Sequence, residues 1–431
     1  MITASGLSHG LWDCSSPPGP ETAALTGDVA ADVAIVGAGF TGLSAALRLA
    51  EQGARVVVVE GTRIGHGGSG RNVGLVNAGL WLMPEDVIAA LGAEHGERLV
   101  DLLGQAPALV YELIARHAIA CEPEQAGTLH CAVGKAGLRE LERRTAQWSA
   151  RGAPVRLLDR AETTAMTGTA VYAGALLDGR AGTIQPLAYA RGLARAAIEA
   201  GVVIHEASPV LRCLPSPAGT WRIETPRGAV TAAQVIVATN AYTQGPWPSL
   251  RRELALLPYF NFATGPLSEA QRALVLPGRQ GAWDTKQVLS SFRLDRAGRL
   301  IFGSVGALRG TGRGIHRAWA TRAIARLFPD LGSVGFEHGW YGMIGMTADS
   351  VPRLHRLAPG VVSLSGFNGR GIAPGTMLGR VLADYVAGNV TGADLPLPFT
   401  DPMALPLRAL KERGYEVGAQ LLHAIEGRLP R

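Results

Sequence analysis

Apolar and polar positions near the start of the chain follow two different periods in turn. Residues 33–36 form a short apolar run, and Leu43, Ala46, Leu47 and Ala50 then recur at helical spacing. Gly53 ends that helical pattern, and Arg55 then leads into a second apolar run of four valines at 56–59. The pattern predicts buried strands over 33–36 and 55–59, joined by a helix over 41–52.

Three glycines occupy the turn between the first strand and the helix, in the spacing G-x-G-x-x-G. Gly37 permits the tight turn, Gly39 lets a pyrophosphate approach the backbone, and Gly42 lets the helix pack on the strand. The free N–H groups at the helix start favour phosphate. Glu60 ends the second strand, where a carboxylate accepts hydrogen bonds from a ribose hydroxyl. The unit therefore predicts a dinucleotide site.

A second polar, glycine-rich loop follows Glu60 and reads GTRIGHGGSGRNVG. A nicotinamide domain has no need of this loop, whereas a flavin needs backbone approach and polar contacts along its extended body. The loop therefore favours a flavin dinucleotide over NAD. A nicotinamide dehydrogenase remains the weaker alternative.

Residues 32–79, and the run GHGGSGRNVGLVNAG in particular, resemble the flavin fingerprint of the D-amino-acid oxidase family. Within it, the branch holding bacterial L-pipecolate oxidases and γ-glutamylputrescine oxidases is most similar. Further similarity lies in WDTKQVLSS and in FNGRG. The resemblance implies an α/β fold, with a Rossmann-like FAD-binding domain interleaved with an α+β substrate domain on a mixed or antiparallel sheet.

The rest of the chain divides accordingly. We expect an N-terminal arm over 1–24 and a C-terminal tail with one helix over 396–431. The FAD-binding domain is expected to comprise 25–81, 153–245 and 341–395, and the substrate domain 82–152 and 246–340. Helices are predicted over 84–91, 94–103 and 106–117, and a single strand over 283–293.

The resemblance also assigns later cofactor contacts, at the ends of two further buried strands. It places Val210 at the adenine, and Thr239, Asn240 and Ala241 beside the ribityl chain. The turn in FNGRG is expected to stabilise the reduced flavin through Arg370 and a helix N-terminus. The complete expected FAD set is Gly37, Gly39, Phe40, Thr41, Gly42, Glu60, Gly61, Thr62, Arg63, Gly68, Ser69, Gly70, Arg71, Asn72, Gly74, Leu75, Val210, Thr239, Asn240, Ala241, Gly369, Arg370, Gly371 and Ile372.

The composition argues against several other classes of protein, including nucleic-acid-binding and metal-binding proteins. At 47% hydrophobic and 18% charged residues, the 431-residue chain can bury a large core. Its formal charge of +6 comes from scattered basic residues, without the stripe typical of nucleic-acid binding. The four cysteines and ten histidines show no metal-ligand spacing, and the thiols are expected to be reduced. We expect no metal, no transmembrane segment and a cytoplasmic location, with peripheral contact at the inner face of the membrane left open.

The expected reaction is oxidation of the C–N bond of a secondary or cyclic amino acid, best represented by L-pipecolate. Hydride passes to non-covalent FAD, and electrons then go to oxygen or a quinone. Arg293 is the candidate for the substrate carboxylate, with Tyr259, Tyr341 and Asn368 as further pocket residues, and Lys286 is expected in solvent. The alternatives are a γ-glutamylputrescine-type oxidase and a FAD subunit without turnover of its own.

Overall fold

Two large β-sheets organise the molecule. A computed structural model describes residues 8–426, and within them the elements are numbered in chain order. Nine strands form the first of these sheets: β1 (Gly27–Val36), β2 (Val56–Val59), β8 (Val203–His205), β9 (Arg212–Pro215), β10 (Trp221–Thr225), β11 (Gly228–Val237), β17 (Arg353–Ala358), β18 (Val361–Ser365) and β19 (Phe399–Thr400). Eight strands form the second: β4 (Thr128–Cys131), β5 (Val155–Leu158), β6 (Ala175–Asp178), β12 (Ala255–Pro266), β13 (Gly281–Asp284), β14 (Ser290–Leu294), β15 (Arg299–Val305) and β16 (Phe336–Met346).

The remaining elements connect or cover these sheets. A short ribbon pairs β3 (Leu75–Val76) with β7 (Gly182–Thr183). The α-helices within residues 8–426 are α1 (Leu11–Ser15), α2 (Phe40–Glu51), α3 (Pro84–Arg116), α4 (Gly134–Ala150), α5 (Arg160–Thr167), α6 (Pro186–Glu199), α7 (Pro248–Glu253), α8 (Glu269–Ala273), α9 (Gly312–Leu327), α10 (Ala373–Val386) and α11 (Arg408–Ile425).

Parallel strands form the centre of the first sheet. β1 lies between β2 and β11 and is parallel to both, and β18 continues the parallel set beyond β11. Helices α2, α3, α6 and α10 contribute to one continuous apolar core with Ile35 and Val58 of these strands. Strands covered on both faces are unbroken apolar runs in the sequence, which is why the runs at 33–36 and 56–59 predicted buried strands.

Two predicted elements differ from the structure. Within α3, the helices expected over 84–91 and 94–103 are separated at Gly92, which leaves helical geometry with φ of 79°, whereas those expected over 94–103 and 106–117 form one continuous segment. A glycine adopts this positive φ without a steric penalty, so the chain bends there and continues. The single strand expected over 283–293 is the antiparallel pair β13 and β14, joined by the loop 285–289.

Strand pairing divides the chain differently from the expected domain boundaries. Strands β5 and β6 fall in the expected FAD segment 153–245, and β16 extends into 341–395, yet all three belong to the second sheet. Conversely, α3 packs on the core of the first sheet, and β19 from the expected tail joins that sheet. Periodicity identifies a strand or helix but not its partner, because the partner is distant in sequence.

Two buried histidines link helix α11 to helix α9. Nδ1 of His316 on α9 lies 2.8 Å from Nδ1 of His423 on α11, and Trp319 stacks on His423 with ring centroids 3.8 Å apart. Burial lowers the pKa of His316 to about 4 and that of His423 to about 3. Glu416, Glu426, Lys286 and Arg322 are the charged groups that act on the pair. Both rings are therefore neutral in the folded protein at neutral pH.

We expect acid to destabilise the protein through this pair. Below the ordinary histidine pKa of about 6.5 the unfolded chain binds protons that the folded chain excludes, so stability is full above that pH and falls towards about pH 4. The variant His423→Phe keeps an aromatic ring against Trp319 and removes one titration. Between about pH 7 and about pH 5, the free energy of unfolding of this variant should fall by about 1–2 kcal/mol less than that of the wild-type protein. Denaturant titration measures this, with His338→Phe as the control outside the pair. Parallel pH profiles for wild type and His423→Phe would contradict the interpretation.

Candidate active site

A continuous cavity of about 570 Å³ lies between the two sheets. Its first part is bounded by the residues that follow the carboxyl ends of β1, β2 and β11, such as Gly37, Glu60 and Thr239. Its second part is bounded by side chains of the second sheet, including Tyr259 and Ser291. In open α/β sheets, ligands bind outside the carboxyl ends of parallel strands, and this cavity occupies that position.

Close backbone packing explains the glycines of the first turn. A Cβ on Gly42 would stand 2.0 Å from the carbonyl oxygen of Gly37, so only glycine lets α2 approach β1. A Cβ on Gly39 would stand 2.9 Å from Oγ of Ser69, and that oxygen accepts a hydrogen bond of 3.0 Å from the N–H of Phe40. Helix α2 therefore begins at the cavity wall, with its first turn facing the site of a phosphate.

Glu60 holds the edge of this turn. Its Oε2 accepts a hydrogen bond of 2.9 Å from the N–H of Ala38, and its Oε1 accepts hydrogen bonds from the N–H and the hydroxyl of Thr62. Burial raises the pKa of Glu60, while these donors oppose that rise. The carboxylate lines the cavity and retains acceptor capacity for ribose hydroxyls.

The second glycine-rich loop is held by its own side chains. The amide nitrogen of Asn72 donates to the carbonyl oxygens of Gly68 and Ser69, and its Oδ1 accepts from the N–H of Gly74 at 2.8 Å. Arg71 is buried and contacts the carbonyl oxygen of Gly67 and the ring of His66. The loop is therefore preformed along the cavity.

Most residues expected to contact FAD line this cavity. These are Gly37, Gly39, Phe40, Thr41, Glu60, Gly61, Thr62, Gly68, Ser69, Arg71, Asn72, Leu75, Val210, Thr239, Asn240, Gly369, Arg370, Gly371 and Ile372. The remaining five, Gly42, Arg63, Gly70, Gly74 and Ala241, lie outside the lining.

Three of these five are glycines that pack against backbone. A Cβ on Gly70 would stand 2.3 Å from the carbonyl oxygen of Gly65, and one on Gly74 would stand 2.1 Å from that of Ile184, as Gly42 does with Gly37. Arg63 instead faces Asp13, with 3.9 Å between Nη2 and Oδ1. These residues shape the loops rather than the cavity surface.

The structure places Arg293 outside the cavity, contrary to its expected role. It lies two residues beyond Ser291 on β14, buried beneath Trp12 of α1, with its guanidinium carbon 5.5 Å from that ring. Burial lowers its pKa to about 10. The indole of Trp12 donates a hydrogen bond to the carbonyl oxygen of Asn72 at 3.0 Å, which anchors the N-terminal arm. The arm thus covers the end of the sheet and excludes a substrate from Arg293.

The other expected pocket residues divide between the two faces of the second sheet. Tyr259 lines the cavity, and its hydroxyl lies 2.7 Å from Oγ of Ser291. Tyr341 is opposite Phe260 in the register of β16 with β12, so it faces the apolar core on the other side. Asn368 lines the cavity, but its Oδ1 accepts from the N–H of Thr347 at 2.9 Å and thus holds the turn.

Arg370 occupies the second part of the cavity between two tryptophans. Its guanidinium carbon lies 5.1 Å from the ring of Trp81 and 5.2 Å from that of Trp283. Nη1 donates to the carbonyl oxygen of Ala78 at 2.8 Å, while Nε has no hydrogen-bond partner among residues 8–426. Burial lowers the pKa of Arg370 to about 9, and no carboxylate within the described chain forms a salt bridge with it. A buried cation without an anionic partner carries a desolvation cost that a bound anion would offset.

Sequence reasoning missed both tryptophans and misplaced Lys286. Trp81 and Trp283 carry no motif, because their role depends only on their distance from Arg370. Lys286 lines the cavity rather than standing in solvent, and its ammonium group pairs with Glu426 beyond the end of α11. An aromatic pair around an arginine has no fixed sequence spacing.

Comparison with known proteins agrees with this geometry. The family model described as DAO, FAD dependent oxidoreductase, matches residues 32–385. The chain belongs to the DAO family of FAD-dependent oxidoreductases.

Relatives of this family match nearly the whole chain. The γ-glutamylputrescine oxidoreductase of Escherichia coli K12 is 30% identical over 410 residues, covering 92% of this chain and 95% of the relative. The probable oxidoreductase OrdL of Rhizobium meliloti is 31% identical over 401 residues, covering 92% of both. Glycine oxidase from Geobacillus kaustophilus has a similar structure, with a TM-score of 0.71, 23% identity, and coverage of 87% of this chain and 99% of that one. The expected fold class and the expected FAD chemistry are thereby confirmed.

The residues present fit FAD. The cavity joins the glycine turn and Glu60 to the Arg370 turn without interruption, as an extended dinucleotide with a ring at one end requires. When bound, FAD supplies the oxidising ring that accepts hydride from the substrate. Gly37, Glu60, Asn72 and the start of α2 would hold its nucleotide and phosphates.

We expect the flavin to be released by acid. None of the four cysteines lines the cavity within the described chain, and the ring of His66 is engaged by Arg71. Acid precipitation of the purified yellow protein should leave the colour in the supernatant, with absorbance as the measurement. Colour retained in the washed pellet would show a covalent link, and His66→Ala would then be the first variant to examine.

Proposed function

We propose that this DAO-family oxidoreductase oxidises a secondary or cyclic α-amino acid, with L-pipecolate as the best candidate, to the corresponding imine. The observation that supports this is Arg370, a buried cation without a salt-bridge partner in the described chain, placed in the cavity between Trp81 and Trp283. Its Nε has no hydrogen-bond partner among residues 8–426, so a bound α-carboxylate would accept the hydrogen bond that this group can donate. The flanking rings exclude water and strengthen that pair.

The charges around the cavity favour an amino acid over a polyamine. Glu60, at the nucleotide end, is the only carboxylate among the described lining residues, whereas Arg71, Lys286 and Arg370 are all cations. A polyamine carries more than one ammonium group, and the second one would enter this cavity without a carboxylate to pair with. A neutral secondary amine meets no such repulsion.

The apolar lining of the cavity favours the neutral form of the substrate amine, which is the form that is oxidised. The second part of the cavity includes the apolar side chains of Leu257, Leu289 and Ile344. Burial against such groups disfavours the ammonium form of the substrate, and only the neutral amine has the lone pair that drives hydride loss. The imine then opens in water to the semialdehyde if the substrate is pipecolate. We propose oxygen or a quinone as the electron acceptor.

A γ-glutamylputrescine-type oxidation is the second candidate. The relative from Escherichia coli named for that substrate supports it. Its substrate also carries a carboxylate, at the end distant from the reacting amine. A third alternative is a FAD subunit that turns over only with a partner.

An anaerobic reduction experiment separates these proposals. Purified protein is mixed with L-pipecolate, L- and D-proline, sarcosine, D-alanine or γ-glutamylputrescine, and the visible flavin band is followed. Bleaching by L-pipecolate but not by its amide, L-pipecolamide, supports both the substrate class and the carboxylate contact. Bleaching only by γ-glutamylputrescine supports the second candidate. No bleaching of flavin-loaded protein by any of these supports the partner-dependent alternative.

A further inference from the structure

The C-terminal helix exposes an apolar face that no part of the described chain covers. Among residues 8–426, eleven large apolar side chains are exposed, and seven of them lie between residues 403 and 425. They are Met403, Leu407, Leu410, Val417, Leu421, Leu422 and Ile425. The exposed fractions are 75% for Met403, 72% for Leu407 and 62% for Leu421. Scattered exposed apolar residues are ordinary on a soluble surface, but such a concentration marks an interaction site.

These side chains form one stripe along α11. Leu410, Val417, Leu421 and Ile425 recur at spacings of seven and four residues, which places them on one side of α11, and Leu407 directly precedes the helix. Ala419 and His423, on the opposite side, are buried. Helix α11 is therefore attached by one face and presents its other, apolar face outward.

The acidic residues of α11 pair with arginines of the protein body, whereas two of its basic residues are exposed beside the apolar stripe. Glu412 pairs with Arg251, and Glu416 pairs with Arg309, so both acids are neutralised against the body of the protein. Lys411 and Arg413 are exposed and stand on the two borders of the apolar stripe by helical position. Basic residues bordering an outward apolar face are the pattern of a helix that lies in the headgroup region of an anionic bilayer.

We propose that α11 docks the protein on an anionic phospholipid surface, with the apolar stripe buried at the headgroup boundary and Lys411 and Arg413 against lipid phosphates. The charge pattern argues against a second copy of the chain as the occupant. Pairing two α11 faces brings together borders whose exposed charges are basic, with the acids of both helices already engaged. No helix within the described residues has the length and apolar character to cross a bilayer.

The docking face is connected to the cavity. Glu426, directly after α11, pairs with Lys286 of the loop 285–289 and accepts a hydrogen bond of 2.7 Å from the indole of Trp319. Lys286, Gln287 and Leu289 of that loop line the cavity. The helix that meets the lipid therefore also holds one wall of the active site.

Vesicle flotation tests this proposal with the full-length, flavin-loaded protein. Wild type should float with phosphatidylcholine vesicles that contain phosphatidylglycerol and should float less with phosphatidylcholine alone or at high salt. The double variant Leu410→Ser/Leu421→Ser should bind at least about tenfold more weakly, which corresponds to about 1.4 kcal/mol. Leu214→Ser is the matched control, because Leu214 is an exposed apolar residue on β9, away from α11.

Flavin content and substrate oxidation distinguish a loss of lipid binding from a loss of folded enzyme. Both variants change exposed side chains outside the cavity, so flavin content and substrate-dependent bleaching should match wild type. The double reversal Lys411→Glu/Arg413→Glu should also lose binding to anionic vesicles. Equal flotation of wild type and the double serine variant, or no flotation of wild type, would overturn the proposal. A dimer in solution that the double serine variant abolishes would also overturn it, by assigning the face to a second copy.

Discussion

The variant Arg370→Met is expected to lower kcat/KM for an amino-acid substrate by about 10²–10³-fold, the loss that follows when one partner of a buried, hydrogen-bonded charge pair is removed. Methionine keeps much of the length of the side chain between Trp81 and Trp283 but leaves the substrate carboxylate without a donor. Stopped-flow reduction of the flavin, measured across substrate concentrations, gives this value. The loss should appear mainly in the apparent Kd, because the reacting C–N bond is not the group that Arg370 binds.

Arg370→Lys is the matched variant for this experiment. It keeps the positive charge and removes the planar pair of donors, so a smaller loss than in Arg370→Met indicates bidentate recognition. The content of bound flavin separates the substrate role from the flavin role that the sequence predicted for the same residue. If both variants retain flavin and bind substrate as wild type does, the carboxylate contact is wrong. Loss of flavin from both would assign Arg370 to the cofactor instead.

The variant Gly42→Ala is expected to remove FAD from the purified protein. Its Cβ would stand 2.0 Å from the carbonyl oxygen of Gly37, a distance that real Cβ atoms do not adopt, so α2 must shift away from β1. That shift displaces the first turn of α2 from the phosphate site. Overpacking of this kind costs about 1–3 kcal/mol or more, and the Tm should fall accordingly. Absorbance of the bound flavin and thermal unfolding measure the two effects.

Gly314→Ala is the control for Gly42→Ala. Gly314 lies in α9, and a Cβ there would meet no atom within 4 Å. The same substitution should leave flavin content unchanged and stabilise the helix by roughly 0.5–1 kcal/mol. Normal flavin content in Gly42→Ala would contradict the assignment of the first turn to the phosphates.

Local chemistry in this chain was predictable because neighbours in sequence carry it. The glycine turn at 37–42, the acid at the end of β2 and the glycine-rich loop after it are each complete within a few residues. Their backbone geometry follows from residue type, so the sequence predicted a dinucleotide and then a flavin. The resemblance to the D-amino-acid oxidase family extended that prediction to the later strand ends.

The expected substrate contact failed for a physical reason. A strand position fixes which face a side chain occupies, but not what covers that face. Arg293 shares a face with Ser291, yet Trp12, from the other end of the chain, closes over it. Tyr341 failed differently, since its register opposite Phe260 turns it away from the cavity. Neither outcome depends on residues near Arg293 or Tyr341 in sequence.

The Rossmann-like unit and the flavin loop could be predicted from the sequence because short segments with fixed backbone requirements carry them, and the resemblance to the D-amino-acid oxidase family added the reaction type. Tertiary structure alone decided that Arg370 stands between Trp81 and Trp283, that Lys286 meets Glu426, and that α11 turns an apolar face outward. These arrangements join residues far apart in the chain, as in the contact of Arg370 with Ala78 across 292 positions. No local periodicity encodes such a distance, since it is set by how two sheets and their helices pack together.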